Sequence, residues 1–221
     1  MFRIKICGIT NVDDALAAMN AGADAIGLNF YPRSNRSIDL PIAKSISESV
    51  PDSVKKVGVF VNASGDEIAS VAEQLALDII QLHGDEPPAL LSQLPRRISI
   101  IRAFRCGSKG LQPLQSYLKE CESSGRMPDA VLIDSDAQNE FGGTGHVADW
   151  TRIANERDFI GRIPLLLGGG LTPANLAEAI AQVKPDGVDV ASGVESAPGR
   201  KDIALVQKFV TSARSAFAAL R

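Results

Sequence analysis

Cysteine is scarce in this chain, and what there is lies scattered. The three cysteines, Cys7, Cys106 and Cys121, are odd in number and far apart. They make neither a disulfide framework nor a Cys-x-x-Cys metal motif, and they point to a reducing compartment, the cytoplasm. Long apolar runs are also missing: no stretch approaches the roughly 20 residues that cross a bilayer. The start, MFRIKICGIT, lacks an apolar core followed by a small-residue cleavage site, so no signal peptide is expected. No basic run exceeds two residues and the net charge is −3, which leaves no electrostatic footprint for nucleic acid. There is no linker, low-complexity segment or strong internal repeat.

What is there is an ordinary soluble composition, 45% hydrophobic and 22% charged over 221 residues. A single domain over residues 1–221 is expected, long enough to bury its apolar surface without staples. Short β-prone runs alternate with amphipathic helical windows. The strand candidates are 3–7 (RIKIC), 25–29 (AIGLN), 55–60 (KKVGVF), 78–83 (DIIQLH), 99–104 (SIIRAF), 129–134 (DAVLID), 163–168 (IPLLLG) and 187–192 (GVDVAS). One helical window carries Val12, Ala15, Leu16 and Met19 on one face, between a Thr10/Asn11 cap and Gly22. Another opens at Thr172-Pro173 and carries Leu176, Ile180 and Val183; the last runs from about Asp202 to Ala218. Eight strand–helix units imply parallel strands with right-handed crossovers. The expected fold is an α/β single-domain (β/α)8 barrel, with a doubly wound open sheet as the alternative.

In such a barrel, chemistry sits at the C-terminal ends of the strands. The polar and glycine positions there are Cys7, Asn29, His83, Asp134, Gly168 to Gly170, and Ser192-Gly193. LLLGGGLTPAN and VASGVESAPG fall after strands seven and eight, where barrels bind phosphate through backbone N–H groups; the bland alternative is tight turns. Neither matches the Walker or dinucleotide pattern. Asp134 is either a chemical group or the cap of the long loop SDAQNEFGGTGH, whose Gly142, Gly143 and Gly145 would let it close over a site. Asp136 and Glu140 read as solvated.

Strand alternation puts Lys5 and Cys7 on one face, inside the barrel, with Ile4 and Ile6 toward the helices. A lysine inside needs a partner, and Asp189 is a candidate. Its charge would lower the Cys7 pKa toward neutrality, as a thiolate base requires; the alternative is a purely structural lysine. Cys106 and Cys121 read as incidental. His83 is either a substrate contact or structural, and His146 reads as loop surface. In FYPRSNRSIDL, Arg36 suits a carboxylate or second anion, while Arg33 reads as a solvated surface residue.

Taken in order, KICGIT, GLNFYPRSNR, VGVFVN, QLHGDE, LIDSD…GGTG, GGGLTPAN and VDVASGVE resemble the phosphoribosylanthranilate isomerases of tryptophan biosynthesis, over roughly residues 3–200. The resemblance implies a (β/α)8 barrel and an Amadori rearrangement of N-(5-phosphoribosyl)anthranilate to 1-(2-carboxyphenylamino)-1-deoxyribulose 5-phosphate, with no metal or organic cofactor. It places the catalytic cysteine on Cys7 and the catalytic aspartate on Asp134. It places the carboxylate-contacting arginine on Arg36 and the phosphate loops on Gly169-Gly170 and Ser192-Gly193. Asp134 would have to hold its proton near neutral pH. The partner implied is a small phosphoribosyl substrate, with no nucleic acid or membrane, and the chain would be a monomer or homodimer. The departures are Asn35, where the family often has Pro; His146, where it has Lys or Arg; and Gly168, where alanine is expected.

Three other readings compete. A related phosphosugar barrel acting on another aminoaldose would typically use two aspartates, and Cys7 argues against it. A phosphate-ligand barrel without turnover would need neither Cys7 nor Asp134. A scaffold barrel would bind no product analogue.

Overall fold

The computed structural model describes residues 1–107, 109–135 and 149–220. Eight parallel strands, β1 (Ile4–Cys7), β2 (Ala25–Asn29), β3 (Lys55–Phe60), β4 (Ile79–Leu82), β5 (Ser99–Cys106), β6 (Ala130–Ser135), β7 (Leu165–Leu167) and β8 (Gly187–Val190), pair in chain order and close into a barrel. The strand β1 pairs with both β2 and β8, which excludes an open doubly wound sheet. Helices α1 (Val12–Ala21), α2 (Leu40–Ser49), α3 (Gly65–Gln74), α4 (Ala89–Gln93), α5 (Gln112–Ser123), α6 (Trp150–Asn155), α7 (Leu176–Val183) and α8 (Ile203–Ala219) follow the strands in turn. A short antiparallel pair, β9 (Glu195–Ala197) and β10 (Arg200–Lys201), lies between β8 and α8.

Local chemistry explains the helix ends. Asn11 accepts a hydrogen bond from the Asp14 N–H, and Gly22, at φ 94°, turns the chain out of α1. Asp202 caps α8 through the Leu205 N–H, and Val206, Phe209, Val210, Ala213 and Phe217 form its buried stripe. The Thr172-Pro173 signal is displaced: α7 begins at Leu176. Thr172 and Asn175 exchange side chain–backbone hydrogen bonds instead, making a turn that precedes the helix.

Period-two alternation splits the apolar residues into two layers. Ile4, Ile6, Ile26, Leu28, Ile80, Ile133 and Val188 face the helices. Ala25, Val57, Ile79, Ile101, Ala103, Ala130, Leu132 and Leu166 fill the barrel, with Phe2 at its foot. Farther along the same inward rows the residues turn polar: Lys5, Gln81, His83, Asp134 and Asp189. The foot of the barrel is therefore a packed core and the mouth is polar.

The foot carries a repeated device that the sequence reading did not identify. Asp24, Asp78, Asp129 and Asp186 each stand just before an even-numbered strand. Each accepts a backbone N–H from the start of the preceding odd-numbered strand: Ile4 at 2.9 Å, Lys56 at 2.9 Å, Ile100 at 2.7 Å and Leu165 at 2.7 Å. The motif is a short D-[AIG]-[IV] phrase recurring at ADAI, LDII, PDAV and PDGV. It pairs the strands two by two and pins their register.

Candidate active site

Lys5 and Cys7 point into the barrel, as their spacing requires. Lys5 is wholly buried, and its Nζ lies 2.8 Å from Oδ1 of Asp189, its register partner on β8. Burial alone would pull the Lys5 ammonium down. The attraction of Asp189 and Cys7, with their hydrogen bonds, outweighs it and holds the group above the ordinary lysine value. Gly27 opposes Cys7 across the sheet and makes the room for this pair. A Cβ there would lie 2.7 Å from the Cys7 Sγ and 3.1 Å from the Lys5 Cε.

The expected lowering of the Cys7 pKa is not what the site does as a whole. Burial pushes the thiol up, Lys5 pulls it down, and Asp189 pushes it up again; the net is above the ordinary thiol value. Lys5 acts in the expected direction, but its charge is already shared with Asp189, and burial dominates.

Asp134 reaches the mouth from β6 and is 6% exposed. Its Oδ2 lies 3.2 Å from Nε2 of His83, just beyond β4. The other ring nitrogen of His83 lies 2.9 Å from Nε2 of Gln81. Cys7, Arg36, His83, Asp134 and Asp189 line one cavity. Asp134 and Asp189 also line its continuation toward Gly169, Gly170, Ser192 and Gly193. Gly169 and Gly170 both adopt positive φ, 76° and 67°, which turns this loop back on itself as residues with a Cβ rarely do. Among the described residues, neither of their N–H groups is spent on a protein acceptor. Ser192–Val194 forms a 3-10 turn on the other side of that recess.

Arg36 sits where the resemblance places it, but it is not alone. Its Nε and Nη2 make a two-pronged contact with Glu195, at 2.8 and 2.7 Å. Glu195 also accepts from the buried Lys201 Nζ at 2.8 Å. The Glu195 hydrogen bond raises the Arg36 guanidinium further. Burial would raise the Glu195 carboxyl, but its two cations hold it below the usual range. The Nε–Nη2 edge of the Arg36 fork is thus fixed on Glu195, and Arg36 lines the cavity. Asn29 works on the same loop, accepting from the Tyr31 N–H and donating to the Ser34 hydroxyl.

Other expectations sort by burial. Arg33 is exposed. Cys106 and Cys121 are buried and in no disulfide, and burial holds the Cys121 thiol at about 11. Asp136, Glu140, Gly142, Gly143, Gly145 and His146 lie outside the described residues. Among the described residues, no group of His, Cys, Asp and Glu could hold a metal ion. Gln81, Glu195 and Lys201 were not singled out from the sequence. The parity of Gln81 with His83 could have signalled the first; nothing local marks the other two. Larger clefts lie at the foot of the barrel, around Phe2 and Lys55, and beside Arg105 and Lys109. Neither brings together a carboxyl, a thiol and unspent N–H groups.

A closed barrel with a carboxyl, a thiol and an arginine lining one cavity, continued by a glycine recess, has the build of an isomerase site for a small anionic substrate. The comparisons narrow the class. The family model described as N-(5'phosphoribosyl)anthranilate (PRA) isomerase matches residues 4–212, and the chain belongs to that family. The N-(5'-phosphoribosyl)anthranilate isomerase of Myxococcus xanthus is 42% identical over 214 residues, covering 96% of each chain. The crystal structure of phosphoribosyl anthranilate isomerase from Thermotoga maritima superposes with a TM-score of 0.85 at 38% identity, covering 97% of this chain and 100% of that one. A solved isomerase in complex with reduced 1-(o-carboxyphenylamino)-1-deoxyribulose 5-phosphate gives a TM-score of 0.82 at 38% identity, over 97% and 100% of the two chains.

Proposed function

We propose that the chain converts N-(5-phosphoribosyl)anthranilate into 1-(2-carboxyphenylamino)-1-deoxyribulose 5-phosphate, the Amadori step of tryptophan biosynthesis, with Asp134 as general acid and Cys7 as general base. The observation that carries the reading is the shared cavity of Cys7 and Asp134, between Arg36 and the Gly169–Gly170 recess, in a chain of this family.

The steps follow from that placement. Asp134, protonated, gives its proton to the ribose ring oxygen. The bond from C1 to that oxygen breaks as the anthranilate nitrogen lone pair closes a C1=N double bond. The Cys7 thiolate then takes the C2 proton, and the electron pair moves through C1–C2 to neutralise the nitrogen. The resulting enolamine loses its hydroxyl proton and gains one at C1, leaving the C2 ketone. Acid and base come from β6 and β1, three strands apart around the barrel. The N–H groups of Gly169 and Gly170, with the Ser192-Gly193 turn, suit the 5-phosphate. Arg36, with Glu195 holding its Nε–Nη2 edge, suits the anthranilate carboxylate. Two anchored anions fix the sugar between the two proton-transfer groups, an orientation effect. The Lys5 ammonium is the counter-charge for the thiolate. Three buried cysteines outside any disulfide support a reducing compartment.

The test is the decay of anthranilate fluorescence with freshly made phosphoribosylanthranilate. Rapid enzyme-dependent decay is expected. A folded chain that leaves the signal unchanged would redirect the site to another phosphorylated substrate.

A further inference from the structure

His83 does not simply face the cavity. Its Nδ1 lies 2.9 Å from Gln81 Nε2, and its Nε2 lies 3.2 Å from Asp134 Oδ2. Gln81 stands two residues earlier, on the same inward face, and is 1% exposed. An amide NH2 group only donates. With the amide so oriented, Nδ1 accepts, and the ring carries its proton on Nε2, on the side of the Asp134 carboxyl. Among the described residues, the Gln81 Oε1 has no hydrogen-bond donor, and the His83 Nε2, though 3.2 Å from the Asp134 Oδ2, does not meet hydrogen-bond geometry. A buried carbonyl oxygen without a donor is unfavourable, and such exceptions call for a reason. The reverse orientation of the amide would give Oε1 a donor only by moving the ring proton to Nδ1. The Nε2 lone pair would then face the carboxylate that proton transfer leaves.

We propose that Gln81 is a positioning residue that fixes the Nε2–H tautomer of His83, and that His83 in turn orients the Asp134 carboxyl and stabilises the carboxylate left after proton transfer. The inference rests on the acid role of Asp134. The balance is simple: the Asp134 O–H bond breaks as the proton passes to the substrate oxygen, and His83 keeps its own proton, its Nε2–H closing on the carboxylate as that charge develops. The ionisable groups sharing the His83 cavity are Cys7 on β1, Arg36 after β2, Asp134 on β6 and Asp189 on β8. Among the described residues of this set, Asp134 makes the close polar contact with the ring.

The chain has only two histidines, His83 and His146, so protein labelled with [15N]histidine gives two ring systems, assigned with His146→Gln. Long-range proton–nitrogen spectra read the tautomer directly. The expected wild-type His83 is the Nε2–H form. In Gln81→Glu the new carboxylate only accepts, so the proton should move to Nδ1 or the ring should become cationic. In that variant and in Gln81→Met, kcat should fall about tenfold or more, with KM within about threefold. An Nδ1–H ring in wild type overturns the proposal, even if neither variant folds. So does an unchanged tautomer in Gln81→Glu, or an unchanged kcat in the variants. Asp134→Asn separates the two claims. Retained turnover there removes the acid role itself. Lost turnover there, with the Gln81 variants fully active, removes only the positioning role.

Discussion

Cys7 stands between opposite charges, and each can be removed separately. Lys5 pulls the thiol pKa down and Asp189 pushes it up, against a dominant upward push from burial. Lys5→Met should therefore raise the Cys7 titration, and Asp189→Asn should lower it, as read by thiolate absorbance against pH. Equal titrations in both variants would mean that burial alone sets the thiol. Because burial holds the wild-type thiol above its ordinary range, the thiolate signal itself should develop only on the alkaline side. Arg36 gives a second residue-scale expectation. Arg36→Lys keeps the charge but loses the planar fork, so KM should rise about tenfold or more with kcat little changed. Which residues were legible follows from range. Cys7, Asp134 and the Lys5–Asp189 pair come from period-two alternation in a barrel, a local rule with a global consequence. The Glu195–Lys201 support of Arg36 joins positions 159 residues apart, and no local spacing encodes it.

The strands were readable because their β-branched runs are short and bounded by turn residues; 25–29 and 55–60 coincide with β2 and β3. The start of α7 was not, because Thr172 caps a turn as readily as a helix and only the packing of Leu176 decides. The aspartate clamps at the foot escaped the reading because a single Asp before a strand looks like any loop residue. They recur four times, and each bridges two elements. Asp24→Ala leaves the Arg3 and Ile4 N–H groups without their acceptor. It should cost about 1–3 kcal/mol of stability, measured by denaturant unfolding, and leave kcat unaltered, because the foot is remote from the mouth. A fall in kcat without loss of stability would contradict the division between foot and mouth.

At the scale of the whole molecule, the polar mouth shapes the pH dependence of stability. Lys5 and Cys7 both have pKa values raised on folding. Each then contributes stability that is fully present below its unfolded value, about 10.5 for Lys and about 8.5 for Cys, and that is lost as pH rises through the folded value. Glu195 is lowered on folding, so its contribution is present above the unfolded value, about 4.3, and is lost as pH falls. Urea midpoints should therefore drop on both sides, starting near pH 8.5 on the alkaline side. A flat alkaline limb would show that the barrel mouth does not favour the protonated forms. The same polar interior holds the chemistry, so the group placements that cost packing are those that transfer protons. The most direct measurement is fluorescence-monitored turnover of phosphoribosylanthranilate by folded Cys7→Ser and Asp134→Asn beside wild type. The expected result is a loss of about 100-fold or more in kcat for each variant, with circular dichroism unchanged. Near-wild-type turnover in either variant would contradict the acid–base pair.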